Sequence, residues 1–353
     1  MKVWGQPRQE PESGDPEAVG SSEARLLAVA ADAGLDLSPD LPRGHDHGDG
    51  RPHDHRHPHE HAAPGQPPYI GIVGAGAVGT ALGVALSRAG WPITAVASRD
   101  TARRQRFSQL VGGSRAFAEA TAILDEVELI ILAVPDDAIA ELAASLRLYS
   151  GQALIHTSGA LGAEVLEPAM AAGTQVGSFH PLVAFADTER AVAAFHGATV
   201  AVEGDDQLVA LLAEMAEAIG ATAVRLAPGS KSAYHAAAVL AAGGFDALLD
   251  AIAELGRLAG LDEASSLAIY GPLMEQTLGN ARALGIRAAL TGPITRGDVG
   301  TLAAHLRTLE AHAPAVLDLY RAAAEREIVL AAERGTLTPD AVRGLRDTLA
   351  MRP

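Results

Sequence analysis

The sequence predicts an α/β domain built on a doubly wound parallel sheet, followed by an all-helical domain and preceded by a disordered segment. Three observations lead there. Between Pro68 and Ala227 short apolar runs alternate with helical patterns, as in strand–helix–strand units. A glycine-spaced turn joins the first run to the first helix. From Ser230 onward helical periodicity dominates and no convincing strand is found.

The elements follow in order. Residues 1–67 are rich in Pro, Gly, Asp, Glu and His, with one apolar patch from Ala24 to Leu37, a composition that cannot build a packed core. Order begins at Pro68. Tyr69 to Val73 is an apolar run, as for a buried parallel strand. Ala77 to Arg88 reads as a helix stopped by Gly90 and Pro92. Ile93 to Ala97 is the second strand, and Asp100 caps a helix reaching Gln109. Glu128 to Val134 is a strand ended by Pro135, after which Asp136 or Asp137 caps a helix to about Leu146. Ala153–His156, Gln175–Phe179 and Ala198–Val202 complete the expected strands. The layout is a tail (1–67), a sheet domain (68–228) and a helical domain (229–353). In the last, breaks are expected near Gly260, Gly271-Pro272, Gly285, Gly292-Pro293 and Pro314, and Thr338-Pro339 is an N-cap with Pro at the first helical position.

Composition narrows the function. The chain carries 27 Lys and Arg against 43 Asp and Glu, a net charge of -16. That balance argues against nucleic acid and anionic membrane surfaces as partners. There is no cysteine, which excludes disulfides, a thiol nucleophile and thiolate metal sites. The N-terminus lacks the charged-then-apolar pattern of a signal peptide, and no long apolar run free of charge, Pro or Gly suggests a membrane span. A cytoplasmic location is expected.

The turn is Gly74-Ala75-Gly76-Ala77-Val78-Gly79, directly after a strand and opening a helix. Gly74 permits the tight turn, Gly76 lets the backbone approach a pyrophosphate, and Gly79 lets helix and strand pack closely. The helix N-terminus adds unpaired N–H groups for phosphates. These features predict a Rossmann dinucleotide site. Val134 and Pro135, at the carboxyl end of a later strand, belong to the same edge. After the second strand an NAD site has an acidic residue, whereas here stand Ser98 and Arg99, followed by Arg103 and Arg104. Guanidinium and hydroxyl groups suit a 2′-phosphate, so the expected cofactor is NADP(H). Asp100 is the contrary sign, although its place suits a helix cap.

Four segments are candidates for chemistry. Thr157, Ser158 and Gly159 follow a strand, where ligands of open α/β sheets bind; a plain Ser/Gly turn is the competing reading. His180, before Pro181, is a candidate acid or base. Lys231 and His235 share one helix face, and a partly buried Lys there can protonate or polarise a carbonyl. Arg296, in the turn Thr291 to Asp298, can fork a substrate carboxylate or pair locally with Asp298. Seven His between His45 and His61 can bind a divalent metal loosely, His53, His55, His57, His59 and His61 above all. A metal-free low-complexity extension is the alternative, and no catalytic metal is expected.

From Tyr69 to the C-terminus the chain resembles an uncharacterised bacterial family that joins a Rossmann-like domain to an all-helical domain of unknown function. The strings that carry the resemblance are Gly-Ala-Gly-Ala-Val-Gly, Ala-Val-Pro-Asp-Asp (133–137), His-Thr-Ser-Gly (156–159), Ser-Phe-His-Pro-Leu (178–182), Lys-x-x-Tyr-His-x-Ala-Ala (231–238) and Thr-Gly-Pro-Ile-x-Arg-Gly-Asp (291–298). That family is similar to the 6-phosphogluconate dehydrogenase-like group, with its 3-hydroxyacid dehydrogenases and its ketopantoate, pyrroline-5-carboxylate and prephenate enzymes. The resemblance implies a helical domain of that group's C-terminal type and a homodimer paired through it. Lys231 matches a catalytic Lys of the ketopantoate branch, with His235 in place of that branch's Asn. His180 and Ser158 match marks of the prephenate branch.

The function expected is an NADP(H)-dependent oxidoreductase acting on a small carboxylate-bearing carbonyl or hydroxy compound, with 2-dehydropantoate the specific candidate. Lys231 is the expected proton donor, oriented by His235 and Ser158, with Arg296 on the carboxylate. A non-catalytic NADP(H)-binding sensor or scaffold and a prephenate dehydrogenase-like activity are the alternatives.

Overall fold

In the computed structural model, which describes residues 66–170, 173–227 and 229–351, the apolar runs form one eight-stranded sheet. Its strands are β1 (Ile70–Val73), β2 (Ile93–Ala97), β3 (Arg115–Phe117), β4 (Leu129–Leu132), β5 (Ala153–His156), β6 (Gln175–Pro181), β7 (Thr199–Glu203) and β8 (Thr222–Arg225). Their spatial order is β3-β2-β1-β4-β5-β6-β7-β8. The chain leaves β1 for β2 and β3 on one side and returns to β4 on the other, so the topological switch point lies between β1 and β4. The described residues belong to one unit, His59–Pro353. The tail patch from Ala24 to Leu37 and the metal-ligand candidates His53 to His61 lie outside the described residues.

Burial follows the period of two that strand geometry imposes. Ile70, Ile72, Leu129 and Ile131 join the core on one face of the sheet, while Val73, Ile130 and Leu132 join the core on the other. Helix α1 (Ala77–Arg88) covers the first face and buries every residue from Gly79 to Leu86. The other face is covered by the short turn Ala120–Glu126 and α3 (Asp136–Ser145); α2 (Thr101–Leu110) precedes them and reaches the first core through Phe107. Both faces are buried, which is why β1 and β4 read as continuous apolar runs.

The sheet departs from the expected all-parallel arrangement at one pair. Strands β6 and β7 run antiparallel, with Ser178 opposite Glu203 and His180 opposite Ala201. Between them lie the short helix α5 (Thr188–Ala194) and its flanking loops, after α4 (Glu167–Met170). The chain therefore re-enters the sheet from the end at which β6 left it. Strands β3 and β8 have no counterpart in the sequence reading. They sit at the two edges, and their residues are mostly exposed, so neither carries an apolar run.

After α6 (Asp206–Ala218) and β8 the fold is helical: α7 (Lys231–Ala241), α8 (Gly243–Leu258), α9 (Glu263–Leu284), α10 (Ile286–Ala289), α11 (Val299–His312), α12 (Pro314–Glu333) and α13 (Pro339–Ala350). Two sequence expectations, the break at Pro272 and the cap before α3, need correction. Pro272 lies inside α9 and does not end it; the ends are set by the Asp262 side chain, which accepts from Ser265 N–H, and by Gly285 at φ 83°. The helix opened by Lys231 stops at Ala242, whose backbone (φ -110°, ψ -91°) leaves the helical region. Asp136 and Asp137 occupy the first turn of α3, and Pro135 holds the cap position without a side-chain bond.

Ile131 is fully buried in a central strand. Ile131→Ala is expected to cost about 2–5 kcal/mol of unfolding free energy, measured by urea denaturation; a loss below about 1 kcal/mol would contradict the packing described.

Candidate cofactor and substrate cleft

The glycine turn separates what the fold demands from what a ligand would demand. Gly74 has φ 110°, and its N–H donates to Ala97 O at 2.8 Å. A Cβ on Gly74 would stand 2.1 Å from Ala133 O, and one on Gly79 would stand 2.0 Å from Gly74 O. Those two glycines are required by backbone packing alone. Gly76 differs. It is the N-cap of α1 with extended backbone, and a Cβ there would meet nothing within 4 Å. Among the described residues, no atom explains why Gly76 lacks a side chain.

Gly76, Ala77 and Val78 form one wall of a cleft of ≈ 370 Å³; Ala133 to Asp136 form a second, and Thr157 to Gly159 with His235 close it. The walls come from the carboxyl ends of β1, β4 and β5, the edge at which open α/β sheets bind ligands. Val134 and Pro135 line it as expected. Ala75 is buried in the core, so only its backbone belongs to the turn.

Beyond β2, the three arginines have distinct positions. Arg104 donates to Ser98 O at 2.6 Å and to Thr101 Oγ1 at 3.0 Å, bracing the loop. Asp100 caps α2 by accepting from Arg103 N–H at 3.0 Å and also pairs with the Arg103 side chain at 3.4 Å. Arg99 is exposed and makes no side-chain bond among the described residues. The carboxylate that would oppose a 2′-phosphate is thus occupied, and one guanidinium is free.

On the other side of the cleft, two elements converge on Gly159. A Cβ there would lie 2.3 Å from His235 Nδ1 and 2.5 Å from His180 Nε2. His180 comes from β6 and His235 from α7, and their rings meet edge to face at 5.6 Å. Tyr234 packs edge-on against His180 at 5.9 Å. His180 Nδ1, His235 Nδ1 and Tyr234 Oη are buried without a partner among the described residues. Ser158 Oγ accepts from Ala160 N–H at 3.2 Å and Leu161 N–H at 3.0 Å, which leaves its own hydrogen free to donate. It therefore serves both as a turn cap and as part of the cleft.

Behind that wall lies His156, fully buried. Its Nδ1 accepts from Ser158 N–H at 3.2 Å and its Nε2 faces Gly162 O at 3.0 Å, an arrangement that fits a neutral ring with the proton on Nε2. Burial first, then the Lys231 charge, pulls its pKa down to about 4. His180 is pulled to about 4 by the same two causes, with His235 adding to them.

Lys231 is not on the cleft surface. It is 4% exposed and donates to Ser178 Oγ at 2.5 Å and Glu203 Oε2 at 2.7 Å. Burial lowers its pKa, and Glu203 opposes that. For Glu203, burial works upward, but the bonds from Lys231 and Ser178 prevail and hold it below the ordinary value. Glu203 had no signal in the sequence: it is a single acid after an apolar strand, and only strand pairing brings it to Ser178. Arg296 is exposed at the end of the turn Ile294–Arg296, whose other two residues are buried, and is not among the residues lining the cleft; Asp298 instead caps α11 through Thr301.

The His156 and His180 imidazoles tie stability to pH. In the unfolded chain they take up protons near 6.5, and in the folded one only near 4. The unfolded state binds more protons between those values, so stability rises with pH there and is lost on acidification from about 6.5 to about 4. The thermal midpoint is expected to fall across that window, less steeply in His180→Asn. A midpoint that stays flat down to pH 4 would contradict neutral burial.

Comparison with known proteins adds two matches. Residues 58–181 match the family described as a Rossmann-like domain, and residues 198–327 match the domain of unknown function DUF2520. The second match begins inside the sheet, so β7 and β8 belong to it. No curated protein matches the chain. A Bacteroides fragilis protein provisionally named an NADP oxidoreductase shares 25% identity and a TM-score of 0.63, with 74% of this chain and 98% of that one covered. A Thermotoga maritima protein shares 26% identity and a TM-score of 0.52, with 79% and 98% covered. A reductive aminase from Aspergillus terreus, solved with NADPH and ethyl levulinate, has the same fold at 19% identity and a TM-score of 0.57, with 80% and 99% covered. The chain therefore joins a Rossmann-like domain to a DUF2520 domain.

Proposed function

We propose that this chain is an NADP(H)-dependent oxidoreductase acting on the carbonyl or imine group of a small compound. One observation carries the reading: Gly76, on the cleft at a helix N-terminus, has open space where a side chain would stand. A pyrophosphate accepting from the N–H groups of α1 would fill that space, and Arg99 is the free cation for a 2′-phosphate. The NADP oxidoreductase name given to the Bacteroides fragilis protein supports the same cofactor.

When bound, NADPH supplies the hydride. The chain's own groups do the rest. The carboxyl edge of β1, β4 and β5 holds the cofactor and limits water, while the Ser158 hydroxyl and the His235 ring face the cleft and orient the reacting group. The proton donor expected from the sequence, Lys231, stands behind the wall in an ion pair and acts on the site through its neighbours. The finer expectation of a carboxylate substrate such as 2-dehydropantoate has no support in the cleft, because neither Arg296 nor Lys231 lines it.

The helical part also supports a homodimer. Leu240 is 73% exposed, and Val239, Phe245, Ile269, Leu273 and Leu278 on α7 to α9 are exposed as well. Large apolar side chains left exposed on three successive helices are the kind of surface that an interface covers. Taken as one segment, Lys231–Leu258 is long and apolar enough to cross a membrane, contrary to the sequence expectation of no such run. The break at Ala242 and the buried Lys231 ion pair favour a second copy as its partner.

Gly76→Ala is expected to abolish NADPH binding, read by nucleotide fluorescence, while leaving the thermal midpoint unchanged. Arg99→Ala is expected to weaken NADPH about tenfold and leave NADH unaffected. Normal NADPH affinity in Gly76→Ala would refute the cofactor assignment. In sedimentation the chain is expected to run as a dimer and the Leu240→Glu/Leu273→Glu variant as a monomer; a monomeric wild type would refute the pairing.

A further inference from the structure

His156, the last residue of β5, is fully buried, and its ring is engaged at both nitrogens. Nδ1 accepts from Ser158 N–H at 3.2 Å, and Nε2 stands 3.0 Å from Gly162 O, a carbonyl to which it can only donate. The two contacts fall at the two ends of the loop that leaves the strand. Before the loop, Thr157 N–H still donates to Leu132 O at 3.0 Å, the last rung between β4 and β5. After it, Gly162 O also accepts from Val165 N–H at 3.3 Å, which opens the turn Ala163–Leu166. Inside the loop, Ser158 Oγ accepts from Ala160 N–H at 3.2 Å and Leu161 N–H at 3.0 Å. With both lone pairs engaged, that hydroxyl can meet a ligand only as a donor.

A neutral imidazole suits this clamp because one rigid ring presents an acceptor and a donor on different sides. Protonation would aim an Nδ1–H at the Ser158 N–H and break the near bond. Burial and the Lys231 charge both act against it. Thr157, Ser158 and Gly159 line the cleft, and the strand order decides which part of a dinucleotide they face. Arg99 follows β2, Gly76 follows β1, Val134 follows β4 and Thr157 follows β5, and those strands are neighbours in the order β2-β1-β4-β5. A dinucleotide with its 2′-phosphate at Arg99 and its pyrophosphate at Gly76 would therefore have its nicotinamide half at Thr157–Gly159.

We propose that His156 is the positioning residue of the nicotinamide end of the cleft: by clamping Ser158 N–H and Gly162 O it holds Thr157–Gly159 as the wall for that half of the cofactor and keeps the Ser158 hydroxyl turned outward as a donor. His156 itself touches no ligand and acts through Ser158. The role toward the cofactor rests on the reading of the cleft as an NADP(H) site. The clamp does not, and it is measured on the free chain.

The test compares three variants of the full chain. His156→Asn keeps an acceptor within reach of Ser158 N–H, as in an Asx turn; His156→Gln keeps a donor for Gly162 O; His156→Leu keeps neither. Amide hydrogen exchange of residues 157–162 is followed by mass spectrometry in the free chain. Affinity is then measured for NADPH and for adenosine 2′,5′-bisphosphate, which lacks the nicotinamide half. His156→Leu is expected to speed exchange in 157–162 and to weaken NADPH about tenfold, the scale of one lost hydrogen bond. Its affinity for adenosine 2′,5′-bisphosphate is expected to stay at the wild-type value, whereas general damage to the fold would weaken both. His156→Asn is expected to recover most of the NADPH affinity and His156→Gln less. Unchanged exchange in His156→Leu overturns the clamp, and equal loss of both nucleotides overturns the positioning role. If His156→Leu does not fold, the other two variants decide, and NADPH binding to His156→Gln as tightly as to His156→Asn overturns the route through Ser158. A wild type that shows the clamp but binds neither nucleotide rejects the cofactor reading and, with it, the role assigned to the wall.

Discussion

The ion pair between Lys231 and Glu203 is the constraint on which the arrangement of this protein's cleft depends. It joins the first helix of the C-terminal part to the antiparallel pair β6–β7 and is sealed by Ser178. Removing one partner of a buried pair leaves the other charge without compensation, at a cost of about 3–5 kcal/mol, so the two parts of the fold cannot drift here without a large penalty. Its position matters more than its net contribution to stability. It lies directly behind the residues that face the cleft, and its field, with burial, keeps His156 and His180 neutral.

The opposite edge of the cleft is governed by close backbone approach. Gly74 and Gly79 are fixed by contacts of about 2 Å that a Cβ would make with carbonyl oxygens, and these contacts seat α1 on the sheet. Gly76 takes part in none of them. A turn shaped by packing and a turn shaped for a ligand thus share six residues, and only the contact geometry tells the two apart. The reversal of β7 has a comparable effect. Had β7 run parallel to β6, Glu203 would lie at the same edge as His180, and the carboxylate would not face Ser178 in register.

The helical region is less enclosed. Its two small cores, around Ile328 and Leu309, are built by α8, α11, α12 and α13, whereas α7 to α9 carry apolar side chains into solvent. A chain with few aromatics and many Ala and Leu can form long helices readily, but helices of this kind need a covering surface. That need, beside a cleft one of whose walls is α7, connects assembly to the site.

The sequence by itself determined the alternation of strands and helices, the glycine turn with its flanking strand and helix, the capping role of Asp100 and the stop at Gly285, because each depends on residues near one another along the chain. The convergence of His180 and His235 on Gly159 was not legible, because one stands on β6 and the other on α7, far apart along the chain, and only the fold brings them to one glycine. The edge strands β3 and β8 were illegible because exposed strands carry no apolar run. Continuation through Pro272 was illegible because local propensity favours the opposite outcome, whereas the stop at Ala242 stands just before Gly243 and Gly244, which do not favour a helix. Only the tertiary structure decided that Lys231 turns inward and that Arg296 stands away from the cleft. The reason is the same for both: a charged side chain's role is set by the charge it meets, and Glu203, 28 residues from Lys231 along the chain, becomes its partner only through the pairing of β6 with β7.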